Sequence, residues 1–102
     1  MTKIPYTGGA TRNAIDTRMS LIPMDALLEI GRVMAKGAID HGDNNWRGGI
    51  PDGVLMDHAL RHIALYMEDD TTEPHLAHAV CSLLMAISFK LKAQRRGDSN
   101  GR

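Results

Sequence analysis

Residues His58–Val80 read HALRHIALYMEDDTTEPHLAHAV, and this stretch decides the fold. It holds four of the five histidines in the chain. Met56, Leu60, Ile63 and Met67 recur at i, i+4, i+7 and i+11, and Leu55, Ala59 and Tyr66 widen that stripe. Such spacing predicts a helix from Asp52 or Gly53 to about Met67. An acidic turn follows, Glu68 to Glu73. Thr72 or Glu73 is expected to cap the next helix, with Pro74 in its first turn, where a missing N–H costs nothing. That helix is expected to run to about Ala93 through Leu76, Val80, Leu83, Leu84, Ile87 and Leu91. Helices joined by so short a turn pack antiparallel.

Working outward, PMDALLEIGRVMAKGA places Leu27, Ile30, Val33 and Met34 on one helical face. Asp25, Glu29, Arg32 and Lys36 fall on the other, and Gly37 reads as the stop. Residues 1–20 carry no steady period and read as irregular. HGDNNWRGGIPDG is a second loop rich in Gly, Asn and Asp. The fold class expected is all-α: three main antiparallel helices with long Gly-rich loops. Residues 1–93 form a single nucleotide-binding helical domain in this reading, and 94–102 a disordered polar tail. The second and third helices are apolar over more than half their circumference. Helices of that kind are buried on every side. Three helices cannot supply that cover, so the core is expected to be completed by homo-oligomerisation.

The 102 residues carry 12 basic and 12 acidic side chains. That balance argues against duplex nucleic acid as a partner. The single cysteine, Cys81, sits in an apolar run and reads as a small buried hydrophobe. The N-terminus lacks the apolar core of a signal peptide, and no apolar run approaches the ~20 residues of a membrane span. The expected setting is a reducing cytoplasm, with no membrane partner.

His58 and His62 share one helix face, and His75 and His78 share a face of the next helix. Across an antiparallel seam the two pairs can meet, with Arg61 beside them. Zinc is the weaker reading, because no third ligand is evident in the sequence. Backbone-bonded structural histidines are the plain reading. A phosphate site fits the set best, since imidazole and guanidinium donate to oxyanions and His75 opens a helix. Two loops can join it. Gly8, Gly9 and Arg12 of TGGATR offer N–H groups and charge. Asn45, Trp46 and Arg47 of NNWRGG offer a base-edge amide, a stacking ring and a guanidinium. Together they suggest a small nucleotide ligand.

TGGATR, RMSLIPMDAL, GAIDHGDNNWRGGIP, ALRHIALY and HLAHAVCSLLMAI, in this order, resemble the small phage-type dATP/dGTP diphosphohydrolase-like family of the N-terminal domain type. That family is related to the all-α MazG-like nucleotide pyrophosphohydrolases. The resemblance covers about residues 6–93. It implies a helical oligomer, purine nucleotide substrates and Mg²⁺ or Mn²⁺. By position it carries the family's Asn-Trp onto Asn45 and Trp46, its Arg-His onto Arg61 and His62, and its opening histidine onto His75. The chain departs from the pattern at Asp40-His41, where the family usually has Lys-Tyr. It departs again in the shortened turn EDDTTEP.

Metal-assisted hydrolysis needs converging carboxylates. Asp25 and Glu29 form one pair at i, i+4, the candidate metal ligands of a hydrolase. No second pair is evident. The third helix has no acid, and Asp57 and Glu68 lie roughly 16 Å apart along theirs. Only the turn acids Asp69, Asp70 and Glu73 are left to complete a catalytic set with Asp25 and Glu29. The leading expectation is therefore capture of a purine, cyclic or ADP-ribose-like nucleotide without cleavage, with no cofactor. A phage-encoded protein of this kind would be a sponge against host immune signalling. The alternative is a Mg- or Mn-dependent dATP/dGTP diphosphohydrolase that releases dNMP and pyrophosphate. A helical interaction module with no ligand is the third reading.

Overall fold

The computed structural model describes residues 2–97. A short antiparallel hairpin comes first, β1 (Lys3–Pro5) paired with β2 (Thr11–Asn13), with Ile4 opposite Arg12. Then follow α1 (Met24–His41), α2 (Asp52–Met67) and α3 (His75–Arg96), with single 3-10 turns at Met19–Leu21 and Asn45–Gly48. The molecule is three helices with a minor hairpin, which agrees with the all-α expectation. The hairpin itself was not expected. Three-residue strands are too short to show an alternating pattern, and every residue in them is exposed.

α2 and α3 form the main helix pair, closed by the turn 68–74. α1 lies against α3. The Cys81 Sγ–H donates to the carbonyl of Ile30, at 3.8 Å, and Trp46 meets Phe89 edge to face, with ring centroids 5.5 Å apart. The first contact ties α1 to α3, and the second ties the loop after α1 to α3. Burial pushes the Cys81 thiol above its ordinary pKa, as fits a small packed hydrophobe.

Three local readings change. α1 does not stop at Gly37. It continues to His41, and Gly42, at φ 93°, makes the break. A helical glycine costs only about 1 kcal/mol relative to alanine, and a further turn of backbone hydrogen bonds outweighs that. α3 starts at His75 with Pro74 in the capping position and no side-chain cap. The Thr72 hydroxyl bonds Asp70 instead. α3 also extends through Gln94–Arg96 before Gly97, at φ 74°, ends it. Ala93 to Arg96 are good helix formers, so the first part of the expected tail is helical. Residues 98–102 of that tail lie outside the described residues.

Only part of the expected apolar stripe of α2 is buried within the chain. Leu55, Ala59 and His62 are buried, while Leu60, Ile63 and Met67 are exposed. The apolar core within the chain is small: Leu55, Ala59, Ala79 and Cys81. Large apolar side chains such as Leu83, Leu84, Ile87 and Leu91 of α3 face outward. The accessible surface is 8213 Å². A compact monomer of this mass exposes about 5,700 Å². The radius of gyration is 17.9 Å, against ~13 Å for a compact chain of this length. By length and composition α3 could cross a bilayer. The reading of no such span counted uninterrupted apolar residues, whereas Ala, Ser and Cys in α3 carry no charge and extend the window. Its His75 and Cys81 are nevertheless buried, against α2 and α1 respectively.

Candidate functional site

A cleft of about 770 Å³ opens between the three helices. One wall is the second half of α1, from Val33, continuing through Asp40, His41, Asp43 and Asn45 to Trp46. The facing wall comes from α2, with Val54, Leu55, His58 and His62. α3 supplies His78, Cys81, Ser82 and Met85, and Glu73 of the turn closes one end. The volume lies within the ordinary range of small-molecule sites.

Antiparallel pairing of α2 and α3 brings the histidines together, as their spacing suggested. The ring of His62 stacks on that of His78, with centroids 4.6 Å apart and planes 14° apart. Nδ1 of His62 lies 2.9 Å from Nδ1 of His75. Nε2 of His75 lies 2.7 Å from Oδ1 of Asp70. The same Asp70 oxygen accepts the N–H of Thr72 at 3.0 Å and its hydroxyl at 2.5 Å. The Thr72 hydroxyl first, and then His75, hold the Asp70 carboxyl down to a pKa of about 2. Glu73 reaches towards His78, with Oε1 3.8 Å from Nε2.

This chain of contacts orders the protons. An ionised Asp70 only accepts, so His75 donates through Nε2–H. In a neutral ring its Nδ1 is then an acceptor, and His62 must donate Nδ1–H to it. That leaves Nε2 of His62 with its lone pair free. Both His62 and His75 are buried, 8% and 3% exposed. Desolvation first, and then the neighbouring His78, lower the pKa of His62 below 6.5.

That shift sets a pH dependence. The folded state resists protonation of His62, so this contribution is fully present above pH 6.5 and falls as pH drops below it. The urea midpoint is expected to fall between pH 7 and pH 5. In His62→Gln the slope over that range should be shallower. An equal slope in wild type and variant would remove His62 as its source.

The structure divides the expected site residues. His58, His62 and His78 line the cleft with Asn45 and Trp46. His75 joins them through His62. Arg47 lies over the Trp46 ring, 4.4 Å from its centroid, and donates through Nε to Asn44. Arg61 is exposed and lies outside the cleft, because its position on α2 is rotated away from the face of His58 and His62. Gly8, Gly9 and Arg12 sit on the hairpin and do not line the cleft. Asp25 and Glu29 belong to the first half of α1, before the cleft begins, and Glu29 pairs with Arg32 at 3.0 Å. Glu73 lines the cleft, and Asp70 backs it through His75.

Sequence reasoning missed Asp40, His41 and Asp43 as lining groups. A signal was present, because Asp40-His41 is where the chain departs from the Lys-Tyr of the resembling family. Among the described residues, one group of three metal-ligating side chains stands close: His62, Glu73 and His75, with ligand atoms within 4.8 Å of one another. Magnesium seeks a shell of oxygens. Two imidazoles and one carboxylate do not fit it, nor do Asp25 and Glu29 join them.

Residues 6–99 match the family model described as dATP/dGTP diphosphohydrolase, N-terminal. No curated protein and no solved structure matches the chain.

Proposed function

Since the chain belongs to the dATP/dGTP diphosphohydrolase N-terminal family, we propose that its cleft binds a purine deoxynucleoside triphosphate and that water splits the α–β phosphoanhydride there. The products are the monophosphate and pyrophosphate. The observation that carries this reading is one cleft holding an indole at one side and three imidazoles at another. Trp46, which lines the cleft, stacks on the base in place of the Arg47 guanidinium now over its ring, and the Asn45 amide meets the base edge. His58 and His78 donate N–H groups to phosphate oxygens.

Asp40, Asp43 and Glu73 line the same space. A bare polyphosphate would be repelled by them. The substrate is therefore expected as its divalent-cation complex, for which Asp40 and Asp43 would supply carboxylate oxygens. Chelation with EDTA should weaken binding sharply, and restoring Mg²⁺ should recover it.

One observation favours capture without cleavage: Asp25 and Glu29 lie outside the cleft. Under that reading the protein is a nucleotide sponge, phage-encoded and working in the host cytoplasm. Chromatography after incubation with each dNTP, Mg²⁺ and Mn²⁺ separates the two. Purine monophosphate plus pyrophosphate supports hydrolysis. Tight binding with the nucleotide recovered intact supports capture. Neither binding nor turnover overturns both. Trp46→Ala should weaken purine affinity on the order of 10-fold, because loss of base stacking costs about 1–3 kcal/mol.

The protein is further proposed to work as a homo-oligomer. Its accessible surface exceeds that of a compact monomer of its mass by roughly 2,500 Å². That excess is of the size buried in permanent interfaces.

A further inference from the structure

We propose that His62, Glu73 and His75 form a binding site for a borderline divalent transition cation of the zinc or cobalt class. This is separate from the hard cation that enters with a nucleotide, and it stands whether or not the cleft cuts one. The donor set is two imidazole nitrogens and one carboxylate oxygen, all within 4.8 Å of one another. That combination suits zinc-class ions and leaves a fourth position open.

The arrangement around the donors is that of a metal site. A ligating histidine usually gives its other ring N–H to a carboxylate, which fixes its tautomer and orientation. Asp70 does this here, accepting Nε2–H of His75 at 2.7 Å and leaving Nδ1 as the donor atom. Asp70 is itself fixed by two hydrogen bonds from Thr72. His78 supports both other donors, stacking on the ring of His62 and approaching Glu73 at 3.8 Å. The Nδ1 atoms of His62 and His75 are 2.9 Å apart. Two nitrogens on a tetrahedral zinc at 2.0–2.1 Å stand ~3.3 Å apart. The pair needs to open by only about 0.4 Å, and the proton now between the rings moves to Nε2 of His62. Burial of both histidines means that the ligands are ordered before an ion arrives.

The test is titration of the full chain, stripped with chelator, with Zn²⁺ by calorimetry and with Co²⁺ by visible absorption. No nucleotide is present. One Zn²⁺ per chain is expected, and cobalt is expected to give the strong d–d bands of a four-coordinate N/O site. His62→Gln and Glu73→Gln should each abolish the bands. Glu73 is exposed, so its variant keeps the fold, which circular dichroism checks. Asp70→Asn should weaken zinc affinity 10- to 100-fold while keeping the stoichiometry. Asp57→Asn, on the exposed side of α2, should change nothing. Unchanged zinc affinity in Glu73→Gln, weak octahedral cobalt bands, or an equal response to Mg²⁺ would each overturn the proposal.

Discussion

Replacing His75 by alanine is expected to lower the unfolding free energy by about 2–4 kcal/mol. His75 is 3% exposed and joins two neighbours, Asp70 through Nε2 and His62 through Nδ1. Alanine removes both hydrogen bonds at once. It leaves a void at the start of α3 and strands the Nδ1–H of buried His62 without an acceptor. An unsatisfied buried donor costs more than a hydrogen bond gains. Asp70 would lose its ring partner but keep Thr72, and it stands nearer to water. Asp70→Asn should therefore cost clearly less than His75→Ala. Urea unfolding of the two variants at pH 7.5 measures the order. Equal losses, or a loss below ~1 kcal/mol for His75→Ala, would mean that the histidine chain contributes little to holding α2 against α3.

The second large effect concerns the outer face of α3. Leu84→Lys combined with Ile87→Lys is expected to abolish self-association and to leave a poorly folded chain. Leu84 and Ile87 are i, i+3 neighbours on an exposed apolar face, and Leu83 and Leu91 extend it. The described residues leave Leu84 and Ile87 about half exposed, so in an isolated monomer the change to lysine should cost little. If a second copy covers them, each lysine removes an apolar side chain worth about 1.5–3 kcal/mol of burial and puts a charge in its place. Light scattering after size exclusion, together with thermal unfolding, separates the cases. The proposed oligomer predicts a fall in mass with a large drop in melting temperature. A wild-type chain of monomer mass with unaltered stability in the double variant would refute it.

The helical frame was legible because its signals are local. The acidic turn and Pro74 announce a break between two apolar repeats, and α2 and α3 lie on either side of it. The end of α1 was not legible, because glycine weakens a helix without forbidding it. Gly37 lies within the helix, whereas Gly42 takes the positive φ that ends it. The buried face of α2 was legible only in part, through Leu55 and Ala59. Periodicity finds the most apolar stripe, and here Leu60, Ile63 and Met67 of that stripe face away from the chain's own core. The face that packs inside carries Leu55, a small Ala59 and a polar His62.

The candidate site shows the same division. His58, His62, His75 and His78 could be placed on facing helices from spacing alone. The bond from Asp70 to His75 could not, since it depends on how the turn closes. In that turn Asp69 adopts a left-handed conformation, at φ 60°, and the N–H of Asp70 returns to the carbonyl of Leu65. Arg61, Arg12 and the Gly8-Gly9 pair were grouped with the histidines on chemistry; the rotation of α2 turns Arg61 out of the cleft, and the others sit on the hairpin. Asp40 and Asp43 enter the cleft because α1 runs longer than its glycine suggested.

The central claim is that the cleft between Trp46 and the histidines receives a purine nucleotide. Nuclear magnetic resonance of the Trp46 indole and of the histidine ring protons, during titration with a purine nucleotide non-cleavable between the α and β phosphates and with Mg²⁺ present, tests it most directly. The account predicts that the signals of Trp46, His58 and His78 shift together and saturate at one nucleotide per chain. Shifts confined to the hairpin around Arg12, or a nucleotide that binds while these three signals stay fixed, would contradict it.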